Sequence, residues 1–151
     1  MHKRLAFFFI LIACPVFLTA SPAITETNIV LKELSLLRWK NRVVLVWLAQ
    51  EDTHVLSILD QQAQALNDRD IVWFVLNNKN IRSNYTGEIS NVFIDSLQAL
   101  RSTKNEEKAQ EVILIGKDGG IKSRSKELDF KDLYRLIDGM PMRQQERRSR
   151  G

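Results

Sequence analysis

Cysteine is nearly absent: the 151-residue chain has one, at position 14. If a leader extending past it is removed, the remainder has no disulfide, no thiol nucleophile and no sulfur ligand for a metal. Histidine is almost as scarce. His2 lies at the extreme N-terminus, which leaves His54 alone in the body of the chain. With Glu51 and Asp52 beside it, His54 supplies too few ligands for a metal site, and no second cluster accompanies it. No metal or other cofactor is therefore expected. After residue 23 no apolar run reaches the roughly 18 residues of a transmembrane helix, so no span is expected in the mature chain. Internal repeats are missing, and so is a large charge of either sign: the formal net charge is +4.

What is present begins with a leader. His2, Lys3 and Arg4 form a positive head, "LAFFFILIA" an apolar run, and "LTASPA" a stretch of small residues. That is the layout of a secretory signal peptide, here residues 1–23. A buried N-terminal helix fits badly, because Phe7 to Ile12 leave no polar face. The expected location is periplasmic or secreted. Cleavage after Ala20 or Ala23 suits an ordinary signal peptidase, whereas "LIAC" reads as a lipobox whose Cys14 would carry a lipid anchor. Against the lipobox, the tether would begin "PVFL", and tethers are usually polar and flexible.

The basic residues are unevenly placed. With Lys3 and Arg4 in the leader, the rest carries 20 basic and 18 acidic residues, and the last nine residues alone hold four arginines against one glutamate. The body is thus close to neutral, which argues against a nucleic-acid groove. Residues 143–151 read as a basic disordered tail that frays in solvent. It would be drawn weakly to an anionic surface, by at most about 1 kcal/mol per arginine.

Between leader and tail, residues 24–142 read as one domain. "RVVLVWLA" (42–49) and "DIVWFVL" (70–76) are apolar, β-branched runs of the kind that parallel sheets bury on both faces. Leu56, Leu59, Ala63 and Leu66 recur at helical spacing between them, predicting a helix to about Asn67 and a right-handed βαβ unit. "NNKNIRSNYTGEIS" predicts an irregular loop, with an Asn84-Tyr85-Thr86 sequon relevant only in a eukaryotic secretory pathway. Ser90 or Asn91 caps a helix bearing Phe93, Leu97 and Leu100. "EVILIG" is a third buried strand, "IKSRS" a more polar fourth, and Asp129 caps a last helix. "TNIVLKELSLLRW" has the spacing of a leading helix. The order β-α-β-α-β-β-α is that of an α/β, thioredoxin-like, three-layer core.

Asp118-Gly119 falls between the third and fourth strands, where Asp-Gly suits a tight hairpin. A phosphate-binding loop would lead into a helix and carry Lys-Ser/Thr after its last glycine, and "GKDGGIK" does neither. Trp47 and Trp73 lie within apolar strands and read as core. Trp39 is expected to pack one face, while Arg42 reaches a nearby carboxylate, with Asp138 the candidate.

"RWKNRVVLVW", "IGKDGGIKSR" and "IDGMPMRQQE" resemble the three marker segments of a bacterial domain-of-unknown-function family. That family belongs to the DUDES superfamily, related to modules of extracellular animal sushi-repeat and coiled-coil-domain-containing proteins. The resemblance runs from about Leu34 to Glu146. It marks Trp39, Arg42, Gly116, Lys117, Asp118, Gly119, Asp138, Met140, Pro141, Met142, Arg143 and Glu146 as motif residues of no assigned role. It implies a thioredoxin-like domain in exported bacterial proteins and no established activity.

The residues argue against thiol chemistry on such a fold. "AQEDTHVL" (49–56) holds no cysteine where C-x-x-C would sit, and "KAQEV" holds no proline before the third strand. A binding or structural module of the cell envelope, with an envelope or extracellular protein as partner, is the expected role. The alternative is an enzyme with a cysteine-free site at Glu51, Asp52 and His54, where histidine would act as acid or base. In "IDGMPMR", Ile137 and Met140 are expected to face the core, Gly139 to turn left-handed, Pro141 to stop the helix and Met142 to fold back. Asp138 and Arg143 would pair at the surface, so truncating Met140 would cost more than truncating Arg143.

Overall fold

The computed structural model describes residues 30–48, 53–77, 80–102 and 110–150. The leader, Cys14, Glu51 and Asp52 lie outside them. Strand β1 (Arg42–Trp47) and strand β2 (Ile71–Leu76) pair in parallel, with Arg42 opposite Ile71 and Trp47 opposite Leu76. Every residue of both is buried, as their uninterrupted apolar sequence requires. The crossover is helical, but it is two pieces rather than one: α1 (Thr53–Gln61) and α2 (Ala63–Asp68). The break at Gln62 is slight, since its N–H still reaches the Ile58 carbonyl at 3.0 Å and its own carbonyl accepts from Leu66.

Strand β3 (Ile81–Ser83) is antiparallel to β2 and lies within the stretch expected to be an irregular loop. Three residues, mostly polar, are too few to print an alternating pattern in the sequence. Side chains extend the pairing instead: Asn84 Oδ1 accepts from Trp73 N at 2.8 Å, and Asn84 Nδ2 donates to the Ile71 carbonyl at 3.0 Å. Helix α3 (Asn91–Gln98) is capped by Ser90, which accepts from Phe93 N. Strands β4 (Glu111–Ile115) and β5 (Ile121–Ser125) complete an antiparallel extension of the sheet, whose order is β3-β2-β1-β4-β5. Helix α4 (Phe130–Asp138) is capped by Asp129, as its sequence predicts.

The sheet divides two apolar layers. Val44, Val46, Trp73 and Leu114 pack beneath α1, α2 and α4 through Leu59, Leu66, Leu133 and Ile137. Leu45, Trp47, Phe74 and Ile113 pack on the other side against Leu31, Leu37, Phe93 and Leu97. Phe74 and Phe93 meet edge to face at 5.2 Å. The leading helix is reduced to a single 3₁₀ turn at Leu34–Leu37.

The largest correction is at the C-terminus. Pro141–Arg150 form a further helix, α5, where a disordered tail from residue 143 was expected. Pro141 starts this helix rather than stopping the previous one, since a first-turn residue has no use for the N–H that proline lacks. Gly139 is not left-handed: its φ is −79°. Three arginines in the last turn complement the helix dipole.

The glycine-rich turn is a hairpin. Gly119 N donates to the Gly116 carbonyl and Gly116 N to the Gly120 carbonyl, both at 2.9 Å, while Asp118 Oδ1 accepts from Gly120 N. Gly119 has φ +81°. Gly119→Ala is therefore expected to lower stability by about 1–2 kcal/mol. Gly120→Ala, where a Cβ meets only ordinary contacts, should change little. Urea unfolding of the two variants checks the contrast; equal effects would contradict it.

Candidate functional site

Polar residues converge at the end of the sheet where β1 begins. Arg42 opens β1 and is 1% exposed. Its guanidinium reaches Glu146 of α5 through two bonds of 3.2 Å and donates to the Arg69 carbonyl at 2.9 Å. The expected partner, Asp138, is not the one it takes. Lys117, just past β4, is also buried, and its ammonium lies 2.9 Å from Glu146 and 2.7 Å from Asp70. Sheet pairing places these residues together: Arg42 is opposite Ile71, which follows Asp70, and Val43 is opposite Ile115 near Lys117.

A second cluster adjoins the first. Arg143 of α5 is 3% exposed, not at the surface as its sequence suggests. It pairs with Asp138 Oδ1 at 3.3 Å, with the Asp68 carboxylate, and with the Asp68 carbonyl at 2.8 Å. Arg69 grips Asp138 from the other side at 2.6 and 3.1 Å and lies over the Tyr134 ring at 4.3 Å. Tyr134 donates to Gln62 Oε1 at 3.1 Å. Arg150 closes the set on the Asp68 carbonyl and on Asp70.

Burial works against the charge on Asp70, Asp138 and Glu146, yet each carboxyl is held below its usual range. Lys117 and Arg150 outweigh burial at Asp70, Arg69 and Arg143 at Asp138, and Lys117 and Arg42 at Glu146. Burial likewise opposes the charge of Arg143, but Asp68 and Asp138 keep it firmly protonated. Carboxylates fixed in the ionised state and arginines that never titrate are poor proton carriers at neutral pH. They make a clamp that ties α5 to the starts of β1 and β2, the end of β4 and the ends of α2 and α4.

The clamp gathers five of the motif residues: Arg42, Lys117, Asp138, Arg143 and Glu146. Gly116, Asp118 and Gly119 stay in the hairpin, where Asp118 binds Lys122 at 2.6 Å. Met140 and Met142 are half-buried and Pro141 is exposed. Trp39 does not pack a face: it is 60% exposed, has φ 65°, donates its backbone N–H to the Lys117 carbonyl and carries the Arg38 guanidinium at 5.1 Å from its ring. His54 is exposed in the first turn of α1, while Glu51 and Asp52 fall outside the described residues. Among the described residues no group of three His, Cys, Asp or Glu side chains is arranged to hold a metal.

Sequence reasoning missed Asp68, Arg69, Asp70 and Arg150, whose partners lie far along the chain. It also missed Glu111, buried at the opposite end of the sheet and bound by Ser102 and Arg124. The available signal was a charge at the edge of an otherwise apolar run, in "RVVLVW", "DIVWFVL" and "EVILIG". A cleft of about 700 Å³ opens elsewhere, between β5 and α4, floored by Val112, Leu133 and Leu136. Of its acidic residues, Asp129 is committed to the α4 cap and Asp132 to Arg135.

Residues 33–146 match a family described as a domain of unknown function, DUF4174. No curated protein matches the chain. Among solved structures, the reduced 2-Cys peroxiredoxin of Plasmodium vivax superposes with a TM-score of 0.55 at 14% identity, covering 74% of this chain and 72% of that one. The fold is thus α/β and similar to a thioredoxin-like peroxiredoxin.

Two stability predictions follow from the clamp. Arg143→Ala should cost roughly 2–4 kcal/mol at pH 7, a buried-pair loss discounted because Asp68 is half exposed. Met140→Ala, at a half-buried position, should cost about 1–2 kcal/mol, which reverses the ranking expected from sequence. Lowered carboxyl values in the folded state mean that the clamp's contribution is complete above the unfolded carboxylate range, near pH ~4, and is lost as pH falls below it. The parent should lose stability through that acidic window, and Arg143→Ala should lose less there. Urea melts from pH 7 to 3 decide both points.

Proposed function

From the premise that the chain belongs to the DUF4174 family of unknown function, we propose that it is an exported, non-redox thioredoxin-like domain, serving as a binding or structural module of the cell envelope. The observation that carries this reading is the lack of cysteine in "AQEDTHVL", after the first core strand, and everywhere beyond Cys14. Disulfide exchange and thiol peroxidation both need a thiolate. A similar fold at 14% identity transfers no chemistry by itself.

Export rests on the leader layout of residues 1–23 and on the resemblance to exported bacterial domains of the DUDES superfamily. Release rather than lipid anchorage at Cys14 rests on the apolar "PVFL" that would follow the lipid. The partner is an envelope or extracellular protein. No helix among the described residues is long and apolar enough to cross a membrane.

Protein purified from the native envelope should have an intact mass starting at Ser21 or Ile24, and an acylated Cys14 would overturn release. The mature form should neither reduce insulin disulfides nor turn over peroxide; either activity sinks the non-redox reading. Crosslinking in the envelope should capture a macromolecular partner. Small-molecule turnover abolished by His54→Ala would instead establish the enzyme reading at Glu51, Asp52 and His54.

A further inference from the structure

Arg42 and Lys117 aim three N–H donors at one carboxylate. Arg42 Nη1 and Nη2 each lie 3.2 Å from a Glu146 oxygen, and Lys117 Nζ lies 2.9 Å from Oε1. Both cations are fixed without Glu146. Arg42, at the start of β1, is held by the Arg69 carbonyl, and Lys117, in the turn just past β4, is held by Asp70. A guanidinium fork with an ammonium beside it fits any planar or tetrahedral oxyanion.

The group that fills this seat rides on the last described element. Helix α5 fully buries only Arg143; no apolar side chain of it is fully buried, and Met142 is half-buried. Its hold is electrostatic. Arg42 Nε, on the far side of the guanidinium from Glu146, is buried without a hydrogen-bond partner, so this cation has a donor that Glu146 does not use. Around the seat, Arg42, Arg69, Lys117, Arg143 and Arg150 face Asp68, Asp70, Asp138 and Glu146. Five cations meet four carboxylates, and removing the Glu146 carboxylate alone, with Arg143 and Arg150 of α5 still docked, leaves an excess of two positive charges.

We propose that Arg42 and Lys117 form an oxyanion-binding seat, which Glu146 occupies here as a tethered internal ligand and which takes an external carboxylate or phosphate group when α5 yields it. The seat goes beyond the module reading and stands without it, since it needs only these two cations and their supports. Tethering gives Glu146 a high effective concentration, so the parent chain binds external anions weakly.

The test titrates full-length parent and Glu146→Ala with inorganic phosphate and with acetate, at ionic strength matched by chloride. Binding is read by calorimetry and by the NMR signal of Arg42 Nε–H. The variant should bind one of the two anions at least about tenfold more tightly than the parent, and adding Lys117→Gln should abolish the gain. Preference for acetate assigns the seat to carboxylates, preference for phosphate to phosphate groups. Equal affinity in parent and variant, or a gain that survives Lys117→Gln, overturns the proposal. If Glu146→Ala does not fold in chloride, Glu146→Gln is titrated instead. If both fold only when phosphate or acetate is supplied, the anion has replaced Glu146; if neither folds under any of these conditions, the seat does not exist apart from α5 and the proposal fails.

Discussion

A guanidinium buried at the first position of the central strand constrains much of the rest of the molecule. Arg42 is enclosed like its apolar neighbours, and a charge removed from water must be paired and hydrogen-bonded to be tolerated. The strand alone offers nothing. One bond comes from the Arg69 carbonyl at the end of the crossover, and the counter-charge comes from Glu146, 104 residues along the chain. That demand brings α5 back across the sheet end. Once α5 is there, Arg143 is buried too and needs Asp138 and Asp68. The ion network is thus a chain of consequences from one position rather than a set of independent surface pairs.

The two ends of the sheet differ as a result. At the end where β1 finishes, Glu111 closes the sheet with Ser102 and Arg124. At the end where it starts lies the dense clamp, far from the helix start that carries His54. Segments distant in sequence, around Arg42, Lys117 and Asp138 to Glu146, meet in the clamp. Residues gathered in this way mark how the chain closes on itself, and a shared fold says nothing further about chemistry.

What the sequence made legible was whatever local apolar pattern controls. "RVVLVW", "IVWFVL" and "EVILI" are buried strands because no polar face interrupts them, and Ser90 and Asp129 cap helices because their side chains reach the first free N–H groups. Strand β3 escaped because its pairing is carried partly by Asn84 and Ser83 side chains. Helix α5 escaped because "RQQERR" has no apolar stripe; its periodicity is one of charge, with Arg143 and Glu146 three apart on the docked face. The Asp138–Arg143 pair was readable from spacing, but its burial was not, since Asp68 completes it from 75 residues away.

The molecule therefore rests on two kinds of force that answer to different variables. Apolar burial on both faces of the sheet is not weakened by charge screening or by carboxylate protonation. Docking of α5 depends on both, because its fully buried contact is an arginine and its second anchor is a carboxylate between two cations. Screening or protonation weakens the second without touching the first. A helix attached in this way can change its state while the sheet beneath it stays folded, and the cations it leaves behind remain fixed by Arg69 and Asp70. An all-apolar attachment would have been simpler and no less stable. The ionic one confers an α5 whose position is set by charge, at the end of the sheet where, among the described residues, the buried cations lie.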